Sequence, residues 1–274
     1  MASLPKSAHV TTTFHKMHGL GNDFVIFGRE EGVVMTPARA RAIAHRRTGV
    51  GCDQLIVLGP STVAEVAMEI WNADGSRAEA CGNASRCVVK LTKAATIETE
   101  GGQIRGAVVG GEIEVSLEPP RFGWADIPLA YAMETRPVPL AWDEFAEPIA
   151  VNVGNPHLVF FVEAIDEALL ATIGPRIEHD PAFPERINVN LASVADGVVT
   201  LRTWERGAGL TLACGTGACA TAVATILTRR ATSPVRVEMS GGSLSIAWAP
   251  GEAVRMRGSA THVFEGTIDL EALG

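Results

Sequence analysis

Apolar residues in this chain fall mostly in short alternating or continuous runs, the pattern of strands, and only a few stretches carry helical spacing. Phe14 to Met17 and Phe24 to Phe27 predict strands flanking the turn Gly19-Leu20-Gly21-Asn22, and Gln54 to Leu58 predicts another. Ala38 to Arg47 has helical periodicity and stops at Gly49. Ala64 to Trp71 alternates as a strand running into the turn sequence Asn72-Ala73-Asp74-Gly75. Cys81 to Ala95 predicts a helix with Cys87, Val88 and Leu91 on its apolar face. Ile97 to Thr99, Ile104 to Val109 and Ile113 to Leu117 then read as a meander of strands, and Glu118 to Pro148, without a period, as a linker. A second series follows: strands Ala150 to Val153 and Leu158 to Val162 around Gly154-Asn155-Pro156, and a helix from Asp166 to Ile173. Next come strand Val198 to Thr203, a helix from Cys214 to Arg229, and strands Val235 to Met239, Leu244 to Trp248 and Ala253 to Gly258. His262 to Ile268 is a last strand, expected to return to the first unit.

The two series are copies in one register. Ala80-Cys81-Gly82 returns as Ala213-Cys214-Gly215 and Gly21-Asn22 as Gly154-Asn155, both at an offset of 133 residues. The same shift lays Trp71 on Trp204, Asn72 on Glu205, and Val25-Ile26-Phe27 on Leu158-Val159-Phe160. The division expected is 1–125 and 126–258, with 259–274 joining the first half.

Each copy keeps a cysteine followed by glycine where a helix begins. A single such cysteine reads as a small buried hydrophobe. The pair reads otherwise, because Ala-Cys-Gly persists while the surrounding repeat has diverged. Two facing halves would put two thiols on opposite sides of one cleft, which suits moving a proton from one face of a carbon to the other. At a helix start a thiol is expected to ionise more readily than usual, and two converging helix N-termini are expected to hold a carboxylate. Cys87 and Cys219 read as core and Cys52 as structural. Asn22, Asn155, Asn72, Glu205 and Arg206 stand at the loops before each cysteine, placed to orient a small zwitterion. His157 is the histidine positioned to help a thiol titrate.

Composition narrows the alternatives. The 274 residues are 47% hydrophobic and 20% charged, a globular balance, with a net charge of −8 that argues against nucleic acid and anionic membranes. The cluster Arg39, Arg41, Arg46 and Arg47 reads as the wet face of one helix. The polar start, Met1 to Thr12, lacks the apolar region of a secretory signal, and no apolar run approaches ~20 residues, so cytoplasm is expected. Five cysteines without a C-x-x-C pair read as free thiols. No phosphate loop, H-E-x-x-H, dinucleotide fingerprint or G-x-S-x-G occurs, and neither cofactor nor metal is expected.

Lys16-Met17-His18-Gly19-Leu20-Gly21-Asn22-Asp23-Phe24, Asn72-Ala73-Asp74-Gly75-Ser76, Ala80-Cys81-Gly82-Asn83, Gly154-Asn155-Pro156-His157, Glu205-Arg206-Gly207-Ala208-Gly209 and Leu212-Ala213-Cys214-Gly215-Thr216-Gly217-Ala218-Cys219 occur in that order. Together they resemble diaminopimelate epimerase. The resemblance implies a cofactor-independent isomerase acting on 2,6-diaminopimelate in lysine and peptidoglycan-precursor synthesis. It also implies an α/β (α+β) homodimer of two pseudo-symmetric domains, each with mixed, mainly antiparallel strands wrapped around a central helix. Carried over by position, Cys81 and Cys214 would be the acid and base. Asn22, Gln54, Asn72, Asn155, Asn188, Glu205 and Arg206 would bind substrate, Gly82-Asn83 and Gly215-Thr216 would hold its reacting carboxylate, and His157 would support them. The chain departs from the family pattern at Leu210, usually Glu, and Ala84, usually Gly. A proline racemase-like enzyme shares the two-cysteine plan without the Gly-Asn-Asp-Phe and Glu-Arg-Gly-Ala-Gly motifs. A thiol redox sensor would explain the cysteines but not the asparagines, and an inert amino-acid binder the reverse.

Overall fold

The computed structural model describes residues 11–143 and 145–272; residues 1–10, most of the polar start, lie outside them. The first half supplies β1 (Thr12–Gly19), β2 (Asn22–Phe27), α1 (Pro37–Ala44), β3 (Gln54–Gly59), β4 (Val66–Asn72), β5 (Arg77–Ala78), α2 (Gly82–Thr92), β6 (Thr96–Thr99), β7 (Gly102–Val109) and β8 (Glu112–Leu117). The second opens with β9 (Ala141–Trp142), β10 (Phe145–Ala146), β11 (Ile149–Asn152), β12 (Pro156–Phe161), α3 (Glu167–Glu178), β13 (Asn188–Ala195) and β14 (Val198–Glu205). It closes with β15 (Gly209–Leu210), α4 (Gly215–Leu227), β16 (Val235–Met239), β17 (Gly242–Ala247), β18 (Val254–Gly258) and β19 (Thr261–Ile268).

The repeat read from the sequence is a repeat of structure. The series β1 to β8 with α1 and α2 recurs as β11 to β18 with α3 and α4, in the same order. In each copy two strands pair in parallel across the first helix, β2 with β3 and β12 with β13. Two more pair in parallel across the second helix, β4 with β6 and β14 with β16. The other ladders are antiparallel, and the two copies meet where β8 pairs with β18. Their ends are exchanged: Arg121, past β8, bridges Asn152 of the second copy, while β19, past β18, pairs with β1.

Composition decides which helix is enclosed. The α4 sequence, Gly-Thr-Gly-Ala-Cys-Ala-Thr-Ala-Val-Ala-Thr-Ile-Leu, has no charged face, so strands pack on every side of it, and its small residues let them come close. The α2 helix is buried from Gly82 to Val89 in the same way, with β1, β7, β8 and β19 around it. Cys87 and Cys219 are fully buried on these helices and Cys52 nearly so beneath α1, the core positions expected of them.

Several expectations need correction. Cys81 and Cys214 are not first-turn residues; each is the N-cap, with the helix starting at the following glycine. The α1 helix ends at Ala44, so Arg46 is not on its wet face but bonds Asp23 and Asp53. The α3 helix runs on to Glu178 despite Pro175, and Asn188–Ala195 forms β13, a strand outside those expected. The stretch 118–148 is no free linker: Ile127, Leu129, Val138, Trp142 and Phe145 pack with Phe160, Leu170 and Phe183 as a second core beside α3. Its irregular backbone hid an apolar content that only burial reveals.

The core thiols make stability sensitive to alkali. Burial pushes Cys52, Cys87 and Cys219 each up to about 12. Above the ordinary thiol value of ~8.5 the unfolded chain releases these protons and the folded one retains them. Their contribution is therefore complete below ~8.5 and is lost as pH rises, at about 1.4 kcal/mol per pH unit for each thiol. Urea unfolding at increasing alkaline pH should show this slope, and Cys87→Ala should make it shallower. Identical slopes for the two proteins would count against the account.

Candidate active site

Strand polarity gathers the polar residues of each copy at one end of its sheet. In the first half β2 starts at Asn22, β3 starts at Gln54, and β4 ends at Asn72, which faces Gln54 across the ladder. In the second, β12 starts after Asn155, β13 starts at Asn188, and β14 ends at Glu205. Trp204 faces Val189, so Asn188 stands to Glu205 as Gln54 stands to Asn72. A short hairpin through β5 or β15 then leads to the cysteine that caps the central helix.

The two helix starts meet over Met256 of β18. A Cβ at Gly82 would collide with Met256 Cε, and one at Gly215 would lie 3.3 Å from Met256 Sδ and from Asn83 Oδ1. Glycine at both helix starts leaves Met256 its place between them; a larger residue would push its side chain aside. Asn83 crosses the junction, its Nδ2 donating to Asn22 Oδ1 at 3.2 Å and reaching Ala213 O at 3.5 Å.

Both thiols are held protonated in this form, which corrects the sequence expectation of easy ionisation. Burial pushes Cys81 up to about 11, partly offset by the N–H groups of Ala84 and Asn83 and by Arg86, while Glu205 adds to the rise. Burial and then Glu205 push Cys214 well above the ordinary thiol range, against Thr216 and the Gly217 N–H, which donates to its Sγ at 3.3 Å. The helix N-termini do favour the thiolates, but loss of water outweighs them. Glu205 thus acts on both cysteines from the end of β14. Its own carboxyl is raised by burial against hydrogen bonds from Thr211 and Cys214.

The repeat-related asparagines are held in opposite senses. Asn22 Nδ2 donates to Asp53 Oδ2 at 3.0 Å, and since that carboxylate only accepts, Asn22 turns Oδ1 toward Asn83 and the Cys81 thiol, 3.9 Å away. Asp53 is fixed by Arg46 at 2.6 Å and by the Asp23 N–H at 3.0 Å. Asp23 in turn lies well below the usual carboxylate range, because bonds from Arg46 and Lys16 overcome the upward push of burial. In the other half, Thr203 donates to Asn190 Oδ1 at 2.9 Å, and Asn190 Nδ2 donates to Leu158 O at 2.9 Å and His157 Nδ1 at 3.1 Å. The His157 proton is therefore on Nε2, donating to Asn155 Oδ1 at 3.0 Å and leaving the Asn155 amide protons for the site. Burial and the Arg206 charge push His157 down to about 3. His157 therefore orients Asn155 and stays neutral, and does not titrate with a thiol as the sequence reading had it.

The remaining groups form the rim. Gln54 Nε2 donates to Asn72 Oδ1 at 2.9 Å, leaving Gln54 Oε1 buried without a partner among the described residues. Asn188 Nδ2 donates to Pro156 O at 2.8 Å and its Oδ1 accepts the Arg206 N–H at 2.9 Å, while the exposed Arg206 guanidinium bonds Glu185 O at 2.9 Å. Thr216 Oγ1 lies 3.5 Å from Cys214 Sγ. Leu210 is 40% exposed beside Trp204, and the fully buried Ala84 offers Cys81 its backbone N–H. Asp53, Asn190 and Thr203 escaped the sequence reading, and adjacency to Gln54 and Asn188 was the one signal that could have found the first two. Among the described residues, no cluster of three His, Cys, Asp or Glu could hold a metal, and no helix is long and apolar enough to cross a membrane.

Comparison with known proteins agrees with this geometry. The profile of the diaminopimelate epimerase family matches residues 14–121 and 149–263. The diaminopimelate epimerase of Rhizorhabdus wittichii is 59% identical over 95% of this chain and 97% of its own length. That of Zymomonas mobilis is 49% identical over 95% and 98%. The fold is shared more widely: a hydroxyproline epimerase from Agrobacterium vitis superposes with a TM-score of 0.65 at 14% identity, covering 94% of this chain and 91% of that one. A phenazine biosynthesis protein of the PhzF family from Enterococcus faecalis superposes at 0.68 and 12% identity, covering 94% and 99%. With two capping cysteines on repeat-related helices and the family profile matched across both halves, this chain belongs to the diaminopimelate epimerase family.

Proposed function

We propose that this protein interconverts LL- and meso-2,6-diaminopimelate without a cofactor, by proton transfer between Cys81 and Cys214. The observation that carries this reading is that the two cysteines cap the repeat-related central helices, whose starts meet over Met256. One cysteine, as thiolate, takes the α-proton; the other, as thiol, gives its proton to the opposite face. The carbon is inverted, and the pair ends with its charge on the other sulfur. Gly82-Asn83 and Gly215-Thr216 turn their helix N–H groups toward the reacting carboxylate, where the intermediate's charge accumulates. Asn22, Gln54, Asn72, Asn155, Asn188, Glu205 and Arg206 hold the ammonium groups and the distal carboxylate. The halves 1–125 and 126–258, with 259–274 on the first, close over the substrate and exclude water. The reaction belongs to lysine and peptidoglycan-precursor synthesis in the cytoplasm.

Incubating the reduced protein with LL-diaminopimelate in D₂O should give the meso isomer carrying deuterium at the α-carbon, read by chiral separation and mass. No exchange would leave a binder or a redox sensor as the better reading. Because both thiols are protonated near neutrality, kcat/KM should climb about tenfold per pH unit until the first of the pair ionises. A flat profile through neutral pH would contradict the protonation described above. We also propose a homodimer through β19, which pairs with β1 and exposes the large apolar residues Val263 and Phe264 (54% and 47%). Sedimentation at the mass of one chain would refute it.

A further inference from the structure

Arg86 plays no part in the chemistry above, yet it is the largest fully buried side chain among the described residues. Its Nη2 donates to Asn83 Oδ1 at 2.8 Å, Nε donates to Ser259 O at 3.3 Å, and Nη1 faces Met256 Sδ at 3.3 Å. All three partners are neutral, and among the described residues no carboxylate forms an ion pair with it. The backbone makes room for it at Gly19, where a Cβ would lie 3.1 Å from Nη2. A buried cation is costly and is ordinarily paired with an anion.

Arg86 is joined to Cys81 through Asn83, which donates to the same Asn22 Oδ1 that the Cys81 thiol meets. Burial disfavours the Arg86 charge, and the thiols that would offset this are those of Cys87, Cys81 and Cys219. Cys87 and Cys219 are fully enclosed, whereas Cys81 keeps part of its surface accessible at the helix start. The repeat adds a second observation. The offset that relates Cys81 to Cys214 places Cys219 at the position of Arg86, so the helix capped by Cys214 has a neutral thiol where the helix capped by Cys81 has a guanidinium. We propose that Arg86 is the fixed counter-charge that makes Cys81, rather than Cys214, the first of the pair to ionise. It acts as a positioning residue, since the same guanidinium also holds Asn83 against Asn22. The assignment rests on the reading of Cys81 and Cys214 as the acid–base pair.

Other charges around Cys81 do not duplicate it. Glu205, from β14, opposes ionisation of both cysteines. On α2 itself Lys90 reaches away to Ala260 O, which precedes β19. Gly19 of β1 and Gly106 of β7 approach α2 without side chains, and β8 gives it Ile113, Val115 and Leu117. From α4 come only the thiols of Cys214 and Cys219 with Thr216.

Iodoacetamide, an uncharged reagent, reacts with thiolates, so the pH midpoint of labelling at each cysteine reports ionisation separately from access. Peptide mass mapping of the reduced full chain should give Cys81 a lower midpoint than Cys214. In Arg86→Met the Cys81 midpoint should rise by about one unit, making labelling roughly tenfold slower at a given pH below it, with Cys214 nearly unmoved. Arg86→Lys keeps the charge but loses the planar grip on Asn83; its midpoint should stay close to that of the parent while KM rises. The assignment is overturned if Cys214 has the lower midpoint in the parent protein. It is equally overturned by an unmoved Cys81 in folded Arg86→Met, or by Arg86→Lys raising the midpoint as loss of the charge would. The parent order and the lysine variant decide the matter even if the methionine variant does not fold. Absence of α-proton exchange in the parent would instead refute the epimerase reading and leave the labelling result standing.

Discussion

Cys81→Ala and Cys214→Ala are each expected to lower epimerisation by about 10⁴-fold, the upper end of what a positioned acid or base contributes. The transfer needs one group on each face of the carbon, and the asparagines that surround the sulfurs cannot replace a thiol as either acid or base. The two variants should differ in stability. Cys81 makes no capping hydrogen bond through its side chain, whereas Cys214 Sγ accepts the Gly217 N–H. Cys214→Ala should therefore lose about 1 kcal/mol as a helix cap is removed, and Cys81→Ala less. Either variant can still remove a proton from one face, so a substrate analogue with a good leaving group should undergo elimination. Chiral assay of the product and urea unfolding check both parts. Substantial epimerisation by either variant would rule out the two-base scheme.

Arg206→Met is expected to weaken kcat/KM for diaminopimelate by about 1.5–3 kcal/mol, the loss of a charge-assisted hydrogen bond. That is roughly ten- to over a hundred-fold at 1.36 kcal/mol per decade. The structure makes the substitution a clean one. The Arg206 N–H, which survives in methionine, is the group that holds Asn188 Oδ1, and the guanidinium bonds the Glu185 carbonyl alone among the described residues. The variant therefore deletes a charge at the rim without releasing the asparagine beside it. His157 should remain neutral, because burial precedes Arg206 among the causes of its low value. The loss should be large for diaminopimelate and small for an amino acid without a distal carboxylate. Equal losses on the two would place Arg206 at the reacting centre and reverse the two ends of the site.

The sequence by itself determined the repeat, most strands, both central helices and the two cysteines. These are local properties: hydrophobic period, turn chemistry at Asn72-Ala73-Asp74-Gly75, and a cysteine–glycine junction wherever a helix starts. It also carried the family through motifs long enough to be specific, and with them Asn188, which no local signal marked. Tertiary structure decided the rest, because burial and long-range approach are not written in any one segment. The helix starts favour the thiolates of Cys81 and Cys214, but burial and the approach of Glu205 oppose them, and desolvation wins. His157 lies beside Asn155 in sequence, yet its proton is assigned by Asn190 and Thr203 on other strands. Arg86 reads as an ordinary polar residue of a helix until the strands close around it and leave its charge without an anion.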